Sequence, residues 1–314
     1  MVRAVFFGSS DSVFSNRHFH PLLEGECSVA AVVDVPPARR ASTNSSRQAG
    51  GSFVEIARKK GIPCFEPASP NTAEFIRDIH ALEPDIFMAV GYMPLLKSEV
   101  LAAPRVIAAN FHASLLPAYR GKHPVFRALR AGEPWCGLTV HEMSLGLDTG
   151  DIIFQVRVPT GEVDSVSSLY ERIMTASVPL VSKLIAAAAS GAVPRMPQPV
   201  EGASYFGATS EDDFRISWFM ETARITRWVT ATPGQCFADF GGRRLFLLDA
   251  RESQRTSGLR AGTLVALRPE FCRIACSDGS IEIRRLRSAE GREMSAHDAC
   301  HGLGLGEGAI LGGP

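Results

Sequence analysis

Asn110 and His112 stand one residue apart at the end of an apolar run. A glycine-punctuated segment, LGLDTGD at 145–151, follows with two carboxylates, Asp148 and Asp151. Alternate residues of an extended chain share a face, so the amide and the imidazole project to one side. Amide N–H groups can hydrogen-bond an oxyanion as it develops. An imidazole moves a proton near neutral pH, and a carboxylate fixes its tautomer and raises its basicity. Meeting in one crevice, these groups suit acyl transfer. If the attacking nucleophile is an amine on the substrate, no serine or cysteine of the chain is required. Taken singly each residue has a structural use: Asn110 capping a turn, His112 a satisfied half-buried histidine, Asp148 closing a loop. The grouping is what favours chemistry.

The elements that must position these groups follow from the apolar pattern. Short apolar runs at 2–7, 28–33, 86–90 and 106–110 read as buried strands, and 138–141 as a further one. Between them Phe53, Ile56 and Ala57, then Phe75, Ile76 and Ile79, have helical spacing. Strands alternating with helices imply β-α-β units, a mainly parallel sheet and a ligand crevice at its carboxyl edge. Gly8-Ser9-Ser10 lacks the later glycines of a dinucleotide fingerprint, so no nicotinamide cofactor is expected. A helix over 165–190 carries Leu169, Ile173, Leu180 and Leu184 on one face, with Ser165 as cap, Pro179 as a bend and Gly191 as stop. Three prolines within 192–204 mark a linker. Apolar runs at 244–248, 263–267, 273–276 and 280–284, with the turn Asp278-Gly279, imply antiparallel strands. The expected layout is α/β: a Rossmann-like, mainly parallel sheet domain over 1–191, a linker over 192–204, and a smaller, mostly antiparallel β-barrel-like (OB-like) domain over 205–314.

Composition narrows the partners. The chain has 314 residues with 33 Lys+Arg against 33 Asp+Glu, so it lacks the overall field that gathers polyanions. No apolar run approaches the ~20 residues that cross a bilayer, and MVRAVFFGSSDS lacks a signal peptide's apolar core, so a cytoplasmic protein without a membrane partner is expected. Seven scattered cysteines argue against a disulfide framework. His297, Cys300 and His301 form the one tempting metal cluster, but paired knuckles are missing and no metal is expected. The polar segment 36–52, with Arg39, Arg40 and Arg47, is either a flap over an anionic acceptor or an ordinary surface loop.

Asn110-x-His112, then Ser114-Leu115-Leu116-Pro117-x-Tyr119-Arg120-Gly121, then Gly146-Leu147-Asp148-Thr149-Gly150-Asp151 resembles the signature of the folate-dependent formyltransferases. Ile216-Ser217-Trp218 and Pro233-Gly234 resemble the opening of that family's C-terminal barrel. The resemblance implies transfer of a formyl group from N10-formyltetrahydrofolate to an amine, without a metal. It implies a catalytic trio of Asn110, His112 and Asp148, with Asp151 bracing the loop. It also implies a pterin site at Val90, Gly91 and Tyr92 against Leu145 and Gly146, with Ser114 and Leu115 at the formyl end. Gly8, Ser9 and Ser10 would face the acceptor amine. Arg120 would contact the acceptor, and the pair Lys122 and His123 after it are acceptor contacts or an exposed helix start.

The family's motifs are nearly silent on the acceptor. From Tyr205 onward the chain carries 14 Arg, no Lys and 14 Asp+Glu, no net charge for gripping RNA phosphates. This favours a small amine, such as an amino-sugar nucleotide or an amino acid derivative, over methionyl-tRNA. Water in place of the amine would make a formyltetrahydrofolate hydrolase-like enzyme. The oligomeric state is left open.

Overall fold

The computed structural model describes residues 1–36, 51–253 and 258–311. Arg39, Arg40 and Arg47 lie outside the described residues, as does the end of the glycine-rich tail. The chain forms two compact units: Met1–Pro124, Trp135–Pro159 and Tyr170–Phe206 make the first, and Val125–Pro134, Thr160–Leu169 and Gly207–Pro314 the second.

In the first unit β1 (Val2–Gly8), β2 (Cys27–Asp34), β3 (Cys64–Phe65), β4 (Ile86–Val90) and β5 (Ile107–His112) pair in parallel. Next along the chain come β6 (Arg120–Gly121), β7 (Trp135–Glu142) and β8 (Ile152–Pro159). The main sheet runs β3-β2-β1-β4-β5-β7-β8, with β7 and β8 antiparallel to their neighbours. Four of its six strand pairings are parallel, the mainly parallel sheet that the apolar runs implied, and β7 and β8 close one edge antiparallel. The helices α1 (Val13–Glu24), α2 (Phe53–Lys59), α3 (Ala73–Ala81) and α4 (Ser98–Leu101) connect its parallel strands. Ser12, Ser52 and Thr72 cap the first three through their side-chain oxygens. Strand order reverses between β1 and β4, which places a crevice at their carboxyl ends.

One face of the sheet packs Val5, Phe7, Val33, Phe87, Ala89 and Ala108 against Phe75, Ile79 and Val100. Ala89 stands opposite Asn110 in register, so that face continues directly into the chemistry-bearing residues.

The region expected as one bent helix is α6 (Val166–Ser177) and α7 (Pro179–Ala189), separated at the proline. α5 (Pro124–Ala131) precedes them. Together 166–189 are long and apolar enough to cross a membrane, contrary to the expectation from the sequence. Leu169, Ile173, Leu180, Val181 and Leu184 are instead buried inside the protein, which accounts for the apolar composition.

The proline-rich segment is no free tether. Met196 bridges Ile152, and β9 (Tyr205–Phe206) pairs with β6, so 192–206 belongs to the first unit.

The second unit divides its strands into two antiparallel four-stranded sheets. One contains β10 (Phe237–Phe240) and β11 (Arg243–Leu247); the other contains β12 (Arg251–Glu252), β13 (Leu264–Arg268), β14 (Phe271–Ala275) and β15 (Ser280–Ile283). β16 (Arg285–Ser288) and β17 (Glu293–Ser295) complete the first of these. Trp218, Phe240, Leu247, Ile274, Ile281 and Leu286 share one core with residues of α8 (Thr222–Ala231) and α9 (Ala296–Gly302). The Asp278-Gly279 turn does join β14 to β15, with Cys276 donating its N–H to the Gly279 carbonyl at 2.8 Å.

Candidate active site

β5 runs to His112, two residues beyond the apolar run, so Asn110 and His112 are strand residues on the same face. β7 lies beside them antiparallel, with Asn110 opposite His141 and His112 opposite Thr139. Four polar side chains thus share one patch of the sheet. Asp148 reaches this patch from the loop after β7, at φ +53, a left-handed conformation that a non-glycine residue adopts only when its surroundings hold it there.

The structure brings Asn110, His112 and Asp148 together. His112 Nδ1 lies 3.6 Å from Asp148 Oδ2, and Asn110 Nδ2 lies 3.5 Å from Asp148 Oδ1. The carboxylate is fixed more tightly by the Gly121 N–H, which donates to Oδ2 at 2.8 Å. His112 is likewise oriented by the backbone rather than by Asp148: its Nε2 meets the Tyr119 carbonyl at 2.9 Å. A carbonyl only accepts, so Nε2 carries a hydrogen and Nδ1 is the nitrogen open to a proton. Burial pushes His112 below its ordinary value; the Asp148 charge and the Tyr119 carbonyl work against that shift without cancelling it. Burial alone would raise Asp148, but the His141 hydrogen bond, the His112 charge and the Gly121 amide outweigh it and hold the carboxyl below its usual range.

His141 completes the constellation and was not among the residues expected to act. Its Nδ1 lies 2.8 Å from the Glu142 carbonyl, so Nδ1 carries a hydrogen. When the ring is neutral, Nε2 accepts from Asn110 Nδ2 at 3.1 Å. When charged, the same nitrogen presents its hydrogen to Asp148 Oδ1 at 3.4 Å. A lone histidine in an apolar strand gives no signal of this role; only its register opposite Asn110 does.

The other expected residues separate by environment. Val90 ends β4, where its carbonyl accepts from Ser15 Oγ at 2.7 Å, and Gly91 follows it at φ +67. Tyr92 packs its ring against Phe7 and joins the core beside Met143. Leu145 is 77% exposed on the Asp148 loop, and Met93, Leu95 and Leu147 also expose apolar surface. A Cβ at Gly146 would stand 2.3 Å from Thr149 Oγ1, so a side chain there would have to turn the Thr149 hydroxyl aside. These loops offer backbone groups with an apolar lip, which fits a flat heterocycle. Ser114 is buried and its hydroxyl donates to the Ala118 carbonyl at 2.8 Å, so it shapes the turn; Leu115 is half-buried beside it. Gly8 and Ser9 are buried, and Ser10 gives its N–H to Asp34 at 2.8 Å. That loop is held by its own contacts at the β1 end. Arg120 is occupied by Gln198 Oε1 at 2.8 and 3.1 Å, whereas Lys122 and His123 are exposed. Gln198 also donates to the carbonyls of Asp148 and Gly150 at 2.8 and 2.7 Å, so the proline-rich segment clamps the carboxylate's loop. Among the described residues no group of three or more His, Cys, Asp and Glu is placed to hold a metal ion.

An α/β sheet with an amide, an imidazole and a carboxylate at the end of its fifth strand, followed by antiparallel sheets, is the architecture of a formyl-group transferase. The chain belongs to the formyl transferase family: residues 2–185 match the family's N-terminal domain, and residues 209–304 match the formyl transferase C-terminal domain. It is 31% identical over 299 residues to the methionyl-tRNA formyltransferase of Pseudomonas paraeruginosa, covering 95% of this chain and 94% of that protein. Against the methionyl-tRNA formyltransferase of Pseudoalteromonas translucida the identity is 28% over 317 residues, covering 99% and 98%. The fold also matches the Helicobacter canadensis N-formyltransferase solved with folinic acid and dTDP-3-aminofucose. That match has a TM-score of 0.66 and 16% identity, and covers 90% of this chain and 99% of that one.

Proposed function

We propose that this enzyme moves a formyl group from N10-formyltetrahydrofolate to the amine of methionyl-tRNA, with Asn110, His112 and Asp148 as the reacting groups. What carries the transfer chemistry is the placement of the Asp148 carboxylate within 3.6 Å of His112 Nδ1, the ring nitrogen left open. Because burial keeps His112 neutral at neutral pH, Nδ1 can take a proton from the attacking amine. The imidazolium that results has Asp148 beside it and can hand the proton to N10 as the tetrahedral intermediate collapses and the C–N10 bond breaks, releasing tetrahydrofolate. Asn110 supplies amide hydrogens for the oxyanion, and its long 3.5 Å contact to Asp148 is the one such an oxygen would replace. The loops after β4 and β7 would hold the folate ring, which supplies the activated one-carbon unit.

The acceptor is inferred from likeness along the whole chain: relatives with that activity align through 94–98% of their own length, across both units. One observation favours a small amine instead. The 14 Arg of 205–314 are balanced by 14 Asp+Glu, and several are already paired, as in Arg285–Glu293, Arg268–Glu307 and Arg273–Glu282.

Incubation with the folate donor and an amine panel, read by product mass, separates the two. Formylmethionyl-tRNA as the dominant product supports the first reading, and a formylated amino sugar or amino acid without it overturns that reading. Formate release without any amine, at a rate matching turnover, would replace both with hydrolysis.

A further inference from the structure

Beside Asp148 the chain builds a small platform whose exposed side chains the transfer step does not use. β6 and β9 pair in parallel, with Arg120 opposite Tyr205 and Gly121 opposite Phe206. Tyr119 donates its N–H to Ser204 Oγ at 2.9 Å, and Arg120 and Lys122 give theirs to the Ser204 and Phe206 carbonyls at 2.9 and 2.8 Å. The approach is so close that a Cβ on Gly121, at φ +92, would fall 2.2 Å from the Phe206 carbonyl oxygen. The Tyr119 and Phe206 rings stack nearly parallel, 13° apart with centroids at 5.6 Å. Of the four non-glycine residues with positive φ among the described residues, two flank the ribbon, Tyr119 at +61 and His123 at +55, and Asp148 is a third. Such conformations persist where the surroundings over-determine them. This is a stiff support.

What it carries is Tyr205 and Lys122. The Tyr205 ring lies against Gly121, its Cε2 2.9 Å from where a Cβ would stand, yet the residue is 60% exposed. The neighbouring Lys122 is also exposed, with no carboxylate in ion-pair reach among the described residues. A flat ring open to solvent, on the same two-stranded ribbon as an exposed ammonium with no carboxylate in reach among the described residues, has the makings of a site for a planar heterocycle joined to an anion. Stacking of a base on an aromatic side chain contributes ~1–3 kcal/mol and tolerates any base. A lysine ammonium holds a phosphate as a point charge.

We propose that Tyr205 and Lys122 read a nucleoside phosphate on the acceptor: Tyr205 stacks on its base and Lys122 pairs with its phosphate. The N–H of Gly121, between them in the ribbon, holds Asp148 at 2.8 Å, so an acceptor seated on the platform brings its amine to the side of the trio where that carboxylate stands. The inference rests on the reading that the trio formylates an amine. The terminal nucleotide of an aminoacyl-tRNA and the nucleotide of an amino sugar both carry this chemistry.

The test uses adenosine 5′-monophosphate alone as a probe, so that it does not depend on turnover. Binding to the full chain is followed by calorimetry for wild type, Tyr205→Ala, Tyr205→Trp and Lys122→Gln. Affinity should fall roughly 5- to 150-fold in Tyr205→Ala, be kept or tightened in Tyr205→Trp, and fall severalfold in Lys122→Gln. In turnover with methionyl-tRNA and, separately, an amino-sugar nucleotide, KM for whichever acceptor reacts should rise by the same factor in Tyr205→Ala while KM for the folate donor holds. The arm that shows this rise identifies the source of the nucleotide. Loss of probe binding in Tyr205→Ala from a protein that formylates neither acceptor keeps the platform and overturns the acceptor reading. No binding to wild type, or equal affinity in Tyr205→Ala and wild type, overturns the platform.

Discussion

Replacing His141 by phenylalanine tests whether this buried ring positions the reacting groups. The substitution keeps the apolar bulk of a residue that is 2% exposed but removes the acceptor 3.1 Å from Asn110 Nδ2. Asn110 is then left with the 3.5 Å contact to Asp148. Losing the hydrogen bond to His141 from this half-buried amide costs about 0.5–1.5 kcal/mol. Expressed in the transition state, that is a fall of about 2- to 13-fold in kcat. A second readout separates this role from general damage. His141 is among the groups that hold His112 down, so its removal should move the acid limb of kcat/KM upward, towards the ordinary histidine value. His141→Gln offers Asn110 an amide oxygen and should recover part of the rate without restoring the acid limb. The assay is steady-state transfer from the folate donor between pH 5 and 8. A kcat within twofold of wild type, with an unmoved acid limb, would refute the positioning role.

Asp148→Asn removes the charge that holds His112 up, so its acid limb should move in the opposite direction, to lower pH, with kcat reduced at least a hundredfold; an upward shift would contradict the assignment. His112→Ala should lower turnover at saturating substrates by about 10²–10⁴-fold while binding of the folate donor, measured by calorimetry, is largely kept. Gly121→Ala sets a Cβ 2.2 Å from the Phe206 carbonyl oxygen at φ +92; a lower melting temperature and a fall in kcat are expected as the Asp148 anchor shifts. His18, buried between the Phe14 carbonyl at 2.8 Å and Ser177 Oγ at 2.9 Å, is pushed down to about 4 by burial. Its folded value lies below its unfolded one, so its contribution is complete above pH 6.5 and is lost as pH falls towards 4, a loss of about 3 kcal/mol. His18→Gln should flatten the melting temperature of the first unit over that range; an unchanged slope would remove His18 as the cause.

Much of this arrangement was legible where the signal is local. The buried strands announce themselves as apolar runs, and the spacing of Asn110 and His112 already places both on one face of β5. The glycines around Asp148 mark a loop whose close approach to the Glu142 carbonyl leaves no room for a side chain at Gly150. What stayed hidden depends on partners distant in the chain. His141 earns its role through an antiparallel register with β5, and nothing in a short apolar run states which strand will lie beside it or in which direction. Which edge of the mainly parallel sheet would close antiparallel, through β7 and β8, stayed hidden for the same reason. Composition likewise could not separate a buried helix pair from a bilayer-spanning one, because both need apolar residues and only the packing partners differ.

The proline-rich segment shows the same limit from the opposite side. Prolines exclude helix and central strand, which makes 192–204 read as a connector. Yet the polar residues between and after them do the attaching. Gln198 ties Arg120 to the carbonyls of Asp148 and Gly150, and Ser204 takes the Tyr119 N–H. Tyr119 in turn offers the carbonyl that orients His112, and Gly121 offers the amide that holds Asp148. The two groups on which proton transfer depends are therefore set by backbone atoms of one short stretch, and that stretch is set by the connector. A backbone donor or acceptor has no residue type to reveal it, so pattern alone finds the imidazole and the carboxylate but not what aims them.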